Sequence, residues 1–387
     1  MRKASHTWGM ITLGIPCGLQ KTNYKHMKKI VFSFLLFSIA FAGISQGKME
    51  RREFVAASLE NNPAGEDPLR QLSIYLPQDY EKGTQRYPVI YVLHGYGGTD
   101  SVMMNVWIDF KLLLDEAIKT GKMSPMIVVA PNSMTRMQGS FYTNSAGSGN
   151  WADYIGKDVV QYMDENFRTI PDRASRGLCG HSMGGNGALK VGMLYADTFS
   201  AVYALSPAVL NWYGDFSLSS PAFKRISKLN SQDAILKGLF KSDQTGDFDG
   251  FFAAVYTAMA QVYSPNGANK ELGADFPVSY LGDSAVYDSK VISEWEAEFP
   301  YYMIDDYLPQ LRSLSALKMD WGRNEDFPHI PYSSLQFSKK LESYHINHFA
   351  EEYIGDHGNM LDGFEGRVFT ELLPFFNTYL KVQTPTN

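Results

Sequence analysis

Apolar residues fall into two patterns along this chain. Residues 54–59 and 69–77 alternate apolar and polar positions across the turn-rich stretch 61–68, which predicts a hairpin of edge strands. Residues 87–93, 125–131 and 199–207 are apolar without alternation, the pattern of parallel strands covered on both faces. Residues 102–120 repeat Val106, Phe110, Leu113, Leu114 and Ala117 at helical spacing, and a second helix runs from Trp151 to about Phe167 with Ile155, Val159 and Tyr162 facing the core. A short strand-like run precedes Gly180, and the small and long-chain residues 186–195 suit a buried helix. Strands alternating with helices predict an α/β fold built on one doubly wound, mostly parallel sheet.

That rhythm fails from Asn211 to about Leu314, a stretch dense in aromatics that include Trp212, Tyr213, Phe216, Phe251, Phe252, Trp295 and Phe299. Segments 233–240, 248–261 and 289–298 read as helical, and a structureless loop of this length is implausible in a compact fold. The expectation is an inserted, mainly helical cap at about 211–314. It is either a lid walling a pocket or a purely structural excursion. A strand at 315–321, a helix at 331–344, a last strand at 349–354 and a closing helix at 364–381 follow.

The start of the chain follows a different logic. Met27-Lys28-Lys29 and the apolar run 30–45 have the form of a secretory signal peptide at 27–45, which implies a secreted or periplasmic protein. The run is shorter than the ~20 residues a spanning helix needs, so no stable membrane insertion is expected after cleavage. Residues 1–26 read as an extension upstream of a true start at Met27, leaving 46–387 as a single domain carrying the cap. With 35 basic against 41 acidic residues the chain offers no extended basic face, which argues against nucleic acid as a partner. Cys17 lies in the leader and Cys179 in the strand before Gly180, so the mature protein has no disulfide, and Cys179 reads as a small buried hydrophobe.

Candidate chemistry gathers around Gly180-x-Ser182-x-Gly184, the nucleophile-elbow pattern, here in the strand-turn-helix context it needs. A serine hydroxyl is a weak nucleophile at neutral pH, so it must be held on such a turn where a histidine can take its proton. Upstream, the apolar strand 87–93 runs into His94-Gly95-Tyr96-Gly97-Gly98, a glycine-rich turn able to present backbone N–H groups to an oxyanion. The loop 132–150 opens at a strand's C-terminal end, where open α/β sheets bind ligands. Tyr142 within it and Trp151 just after it are the candidate substrate-binding residues.

Of His329, His345, His348 and His357, only His357 sits in a glycine-flanked loop directly after the last strand. It is the candidate base. His345 and His348 read as solvated surface, and as a zinc pair they lack a third ligand. The orienting carboxylate belongs in the loop after strand 315–321, where Glu325 and Asp326 are adjacent and spacing does not separate them. Helix capping is an alternative role for Asp326.

These features resemble the esterase family that includes esterase D, feruloyl and acetylxylan esterases of carbohydrate esterase family 1, enterochelin esterase-like proteins and mycolyltransferases. The resemblance spans residues 54–210 and 315–380, and rests on Tyr75-Leu76-Pro77, the run from Tyr87 to Gly95, Gly180-His181-Ser182-Met183-Gly184-Gly185 and Gly355-Asp356-His357. It implies an α/β-hydrolase fold and a serine carboxylic-ester hydrolase that forms an acyl-enzyme on Ser182, with His357 as base. In such enzymes the acid follows a Gly-x-Asn-Asp-like turn. Gly322-Arg323-Asn324-Glu325 matches it with Glu in the acid's place, so the resemblance selects Glu325 and leaves Asp326 as the alternative. The same mapping makes the backbone N–H groups of Tyr96 and Met183 the oxyanion donors. No cofactor and no metal are implied. Feruloyl or acetyl esters of carbohydrates, small-molecule or polysaccharide, are the expected substrates. Siderophore-ester hydrolysis, acyl transfer, thioester hydrolysis or non-catalytic glycan binding are the alternatives. The 211–314 insertion departs from the compact members of the family.

Overall fold

The computed structural model describes residues 46–382; the expected signal peptide at 27–45 and the stretch before it lie outside the described residues. Eight strands form one sheet: β1 (Lys48–Val55), β2 (Leu69–Leu76), β3 (Val89–Leu93), β4 (Ile127–Pro131), β5 (Arg176–His181), β6 (Ala201–Leu205), β7 (Ala316–Gly322) and β8 (Phe349–Tyr353). Their order is β1-β2-β4-β3-β5-β6-β7-β8. β2 runs antiparallel to both of its neighbours, and every other adjacent pair is parallel. Alternate residues of β3 enter opposite layers, Val89, Tyr91 and Leu93 on one face and Ile90 and Val92 on the other, so all five are buried. With helices packed on both faces, this is the α/β-hydrolase fold.

The pattern misplaces some elements locally. β1 covers Lys48–Val55, ahead of the predicted 54–59, where Ala57–Leu59 winds as a tight helical turn. β2 lies between β1 and β4, so the predicted hairpin contributes one edge strand rather than two. The helix expected at 102–120 is broken. Val102–Trp107 winds as a wide turn, the chain is extended at Ile108 (φ −123°, ψ 124°), and α1 spans Phe110–Lys119. Asp109 caps α1 by accepting the Leu112 N–H. Burying Ile108 turns Val106, predicted on the apolar face, out to solvent at 76% exposure.

After the elbow, α2 (Met183–Leu194) packs beneath a cap built from α3 (Pro221–Leu229), α4 (Gln232–Thr245), α5 (Phe248–Tyr263), a ribbon pairing Val278–Leu281 with Ser284–Tyr287, and α6 (Ser289–Ala297). α3 and the ribbon have no counterpart among the predicted segments. Pro221 at the first turn and the Ser220 cap start α3. Most cap aromatics hold the cap itself together: Trp212 stacks on Phe216 and Trp295, and Phe299 meets it edge-on. Lys190 of α2, fully buried, ties core to cap through Thr143 Oγ1 at 2.5 Å and Glu298 at 3.0 Å. Beyond β7, α7 (His329–Ser343) and the helical segments Val368–Leu372 and Leu373–Tyr379 complete the layers. No helix among the described residues is long and apolar enough to cross a membrane.

Candidate active site

β5 delivers Ser182 to the top of the sheet in a strained backbone conformation, φ 58° and ψ −117°, before α2 begins at Met183. The flanking glycines make that turn possible. A Cβ on Gly180 would stand 2.3 Å from the Gly184 carbonyl oxygen, and one on Gly184 would stand 2.1 Å from that of Leu93. The Ala208 N–H donates to the Ser182 carbonyl and Asn186 donates to the carbonyls of Ala208 and Val209, fixing the turn after β6 beside the serine.

The turn after β3 is held by neutral contacts. His94 is buried, and burial lowers its pKa to about 4. Its Nδ1–H therefore donates to the Gly95 carbonyl, while Nε2 accepts the Ser133 N–H at 2.9 Å. Tyr142 donates its hydroxyl to the His94 carbonyl at 2.8 Å, and Tyr96 donates to the Met137 carbonyl at 2.8 Å. The Met183 amide, first in α2, has no intrahelical acceptor. It and the Tyr96 amide lie at the two turns that meet at Ser182.

The candidate base and the candidate acid follow adjacent parallel strands. Arg323 N–H donates to the Tyr353 carbonyl and Asn324 N–H to that of Gly355, so the loop after β7 is laced to the loop after β8. His357 Nδ1 thereby meets Glu325 Oε2 at 2.7 Å, with the carboxylate fully shielded from solvent. This leaves His357 Nε2 as the free ring nitrogen. Asp326 is exposed and is not the partner. His181 donates Nε2–H to the His357 carbonyl at 2.8 Å and lies between Trp107 and the His357 ring. Burial, with His357 beside it, holds the His181 pKa well below the usual histidine range.

Ser182, Met183, Tyr96 and His357 open onto one cavity of about 180 Å³ whose remaining wall is Phe141, Ala208, Val209, Phe251, Phe252, Val255, Phe327 and His329. Of the cap aromatics, only Phe251 and Phe252 are in this wall. Tyr142 and Trp151, expected to touch substrate, are fully buried and lie outside it. Tyr142 is turned under the β3 turn by its bond to His94, while Trp151 packs under the Arg70 guanidinium with its indole N–H on the Ser148 carbonyl. Phe141, the neighbour of Tyr142, takes the cavity position instead. His329 carries no motif in the sequence. Its one signal is that it shares the loop of the candidate acid, four residues after Glu325.

A strained serine at a strand end, two amides beside it and a histidine–carboxylate pair thus stand at one end of the sheet of an α/β-hydrolase fold. The sequence profile of the family described as "Putative esterase" matches residues 68–289, more than half of the chain, and the chain belongs to that family. The matched region contains Tyr96, Ser182 and Met183 but ends before Glu325 and His357. An esterase of Mycobacterium tuberculosis is 34% identical over 152 residues, 38% of this chain and 31% of that protein. An endo-1,4-beta-xylanase/feruloyl esterase of Xylanibacter ruminicola is 32% identical over 124 residues, 30% of this chain and 16% of that protein. The chain thus spans less than a third of these curated relatives. Among solved structures, a ferulic acid esterase superposes with a TM-score of 0.58 at 19% identity, covering 87% of this chain and 100% of that one. The S-formylglutathione hydrolase of Staphylococcus aureus gives 0.52 at 16%, covering 87% and 100%. At these identities the likeness is one of fold.

Proposed function

We propose that this protein is an exported serine esterase that cleaves esters of aromatic acyl groups, carried on carbohydrate alcohols, through an acyl-enzyme on Ser182. The observation that carries the reading is the Ser182 elbow and the His357–Glu325 pair facing one aromatic-walled cavity. His357 Nε2 takes the hydroxyl proton as Ser182 attacks the acyl carbon, and Glu325 holds the Nδ1–H tautomer and stabilises the imidazolium. The Tyr96 and Met183 amides receive the oxyanion. His357 then protonates the departing alcohol, and water, activated by the same imidazole, releases the acid.

The size of the cavity supports an aromatic acyl group. A dry cavity of about 150 Å³ takes up benzene, so ~180 Å³ lined by phenyl rings suits one ring and its short linker. A formyl group would leave most of it empty, which weighs against thioester chemistry of the formylglutathione kind. The feruloyl esterase named among the relatives supports the same choice. The test is hydrolysis of methyl ferulate and p-nitrophenyl acetate by the protein from Gln46 onward and by its Ser182→Ala variant. Turnover of both esters, falling by at least ~10⁴-fold in the variant, is expected. Turnover that survives in the variant would overturn the serine mechanism, and cleavage of the acetate alone would overturn the aromatic acyl group.

A further inference from the structure

The cavity wall holds one polar group that this chemistry leaves unused. His329 heads α7 and is 2% exposed. Asp215 receives both its backbone N–H, at 2.7 Å, and its ring Nδ1, at 3.1 Å. In the neutral ring this contact puts the proton on Nδ1 and leaves a lone pair on the other nitrogen. That nitrogen, Nε2, is buried and has no hydrogen-bond partner among the described residues. Phe216, Phe252 and Phe327 surround the ring at centroid distances of 5.6, 6.5 and 6.2 Å. A buried acceptor without a donor needs an explanation, and here its residue lines the same cavity as Ser182.

We infer that His329, its tautomer set by Asp215, is the specificity-determining acceptor for a hydroxyl on the acyl group. The inference rests on the aromatic-acyl reading above and adds to it the feature by which one acyl group is preferred over another. With Asp215 occupying Nδ1, the free nitrogen of the neutral ring accepts, so its ligand donates. A carboxylate has no proton to give. An ammonium would have to leave water for a wall of phenyl rings, whereas a neutral phenol gives its proton without burying a charge. The Phe327 ring stands 4.9 Å from His357 and 6.2 Å from His329, so both imidazoles border one ring of the cavity wall. A hydroxylated arylpropenoyl group carries a reacting carbonyl at one end and a hydroxyl beyond its ring, and so has a group for each imidazole. Asp215 is a positioning residue in this arrangement.

Methyl p-coumarate, methyl cinnamate and methyl 4-methoxycinnamate differ at the one atom in question: a donor, nothing, and an acceptor without a proton. In the unaltered enzyme kcat/KM for the coumarate should exceed that for the cinnamate by roughly ten- to hundredfold, with the methoxy ester no better than the cinnamate. In His329→Phe the coumarate-to-cinnamate ratio should fall to near one. Asp215→Asn, which loosens the tautomer without removing the imidazole, should lower the ratio in the same direction. Circular dichroism establishes that each variant is folded, and the three-ester comparison on the unaltered enzyme tests the inference even if neither is. A ratio near one in the unaltered enzyme, or an unchanged ratio in folded His329→Phe, would overturn the role of His329 while leaving the esterase reading intact. No cleavage of any of the three, with Ser182-dependent cleavage of p-nitrophenyl acetate, would overturn the aromatic-acyl reading and this inference with it.

Discussion

Replacing Glu325 by Gln removes one negative charge from the site and leaves its volume almost unchanged. The carboxylate is fully shielded from solvent, with Oε2 2.7 Å from His357 Nδ1, so neither water nor salt screens its attraction for an imidazolium. When Nε2 accepts the serine proton, a unit positive charge appears ~4 Å from the carboxylate. At an effective dielectric constant of about 20 that attraction is about 4 kcal/mol. With about 1.4 kcal/mol per decade of rate, this is roughly three decades. The amide can also turn its NH₂ toward Nδ1, which would favour the tautomer whose Nε2 cannot accept a proton, so a loss of ~10³–10⁴-fold in kcat is expected. KM should change little, since the carboxylate faces the imidazole and not the cavity. Steady-state p-nitrophenyl acetate kinetics on folded protein measure this, with Asp326→Asn as the paired variant. Asp326 is exposed and away from the imidazole, so its change should stay within about twofold. Glu325→Gln keeping more than about a tenth of the wild-type kcat, or Asp326→Asn losing as much as Glu325→Gln, would refute the assignment of the acid.

Three further outcomes follow from the packing. Gly184→Ala places a methyl group 2.1 Å from a backbone oxygen that has no room to yield, so a loss of about 3 kcal/mol or more is expected; a wild-type Tm with full activity would show the turn to be more pliant than described. Tyr142→Phe removes the donor to the His94 carbonyl and should cost about 1 kcal/mol in denaturant unfolding with KM unaltered; a raised KM at unchanged stability would return Tyr142 to the substrate. His94 and His181 both have folded pKa values below the ordinary 6.5, His94 at about 4, because burial disfavours the charged ring. The unfolded chain binds the His94 proton between pH 6.5 and about 4 while the folded chain does not, so stability is full above pH 6.5 and falls through that window, and His181 acts in the same direction. For His94 the fall is about 1.4 kcal/mol per pH unit, roughly 3 kcal/mol in total. Urea midpoints between pH 7 and pH 5 should therefore drop less steeply in His94→Asn than in the wild type, and equal slopes would contradict the neutral burial of His94.

Much of the scaffold was legible because the responsible interactions are local or periodic. β3 and β4 appear in the sequence as unbroken apolar runs, since a strand covered on both faces has no polar position to alternate with. The elbow is legible for another local reason: only glycine fits where β5 turns into α2, so Gly180 and Gly184 mark Ser182 from both sides. The break at Ile108 was not legible, because α1 and the turn before it share one helical period and only packing beneath the sheet draws Ile108 inward.

The sequence by itself therefore determined the chain order of the main-sheet strands, the serine turn, the turn after β3, and the two loops that hold the candidate base and acid. Only the tertiary structure decided the encounters between distant segments. It brought Glu325 rather than its neighbour Asp326 to His357, a matter of which way a loop laced to the next strand faces. It also put Phe141 in the cavity and Tyr142 beneath the turn, and joined Asp215 to His329 across 114 positions of chain. Periodicity carries no information about such pairings, because they are set by how the loops at the strand ends converge once the sheet has formed.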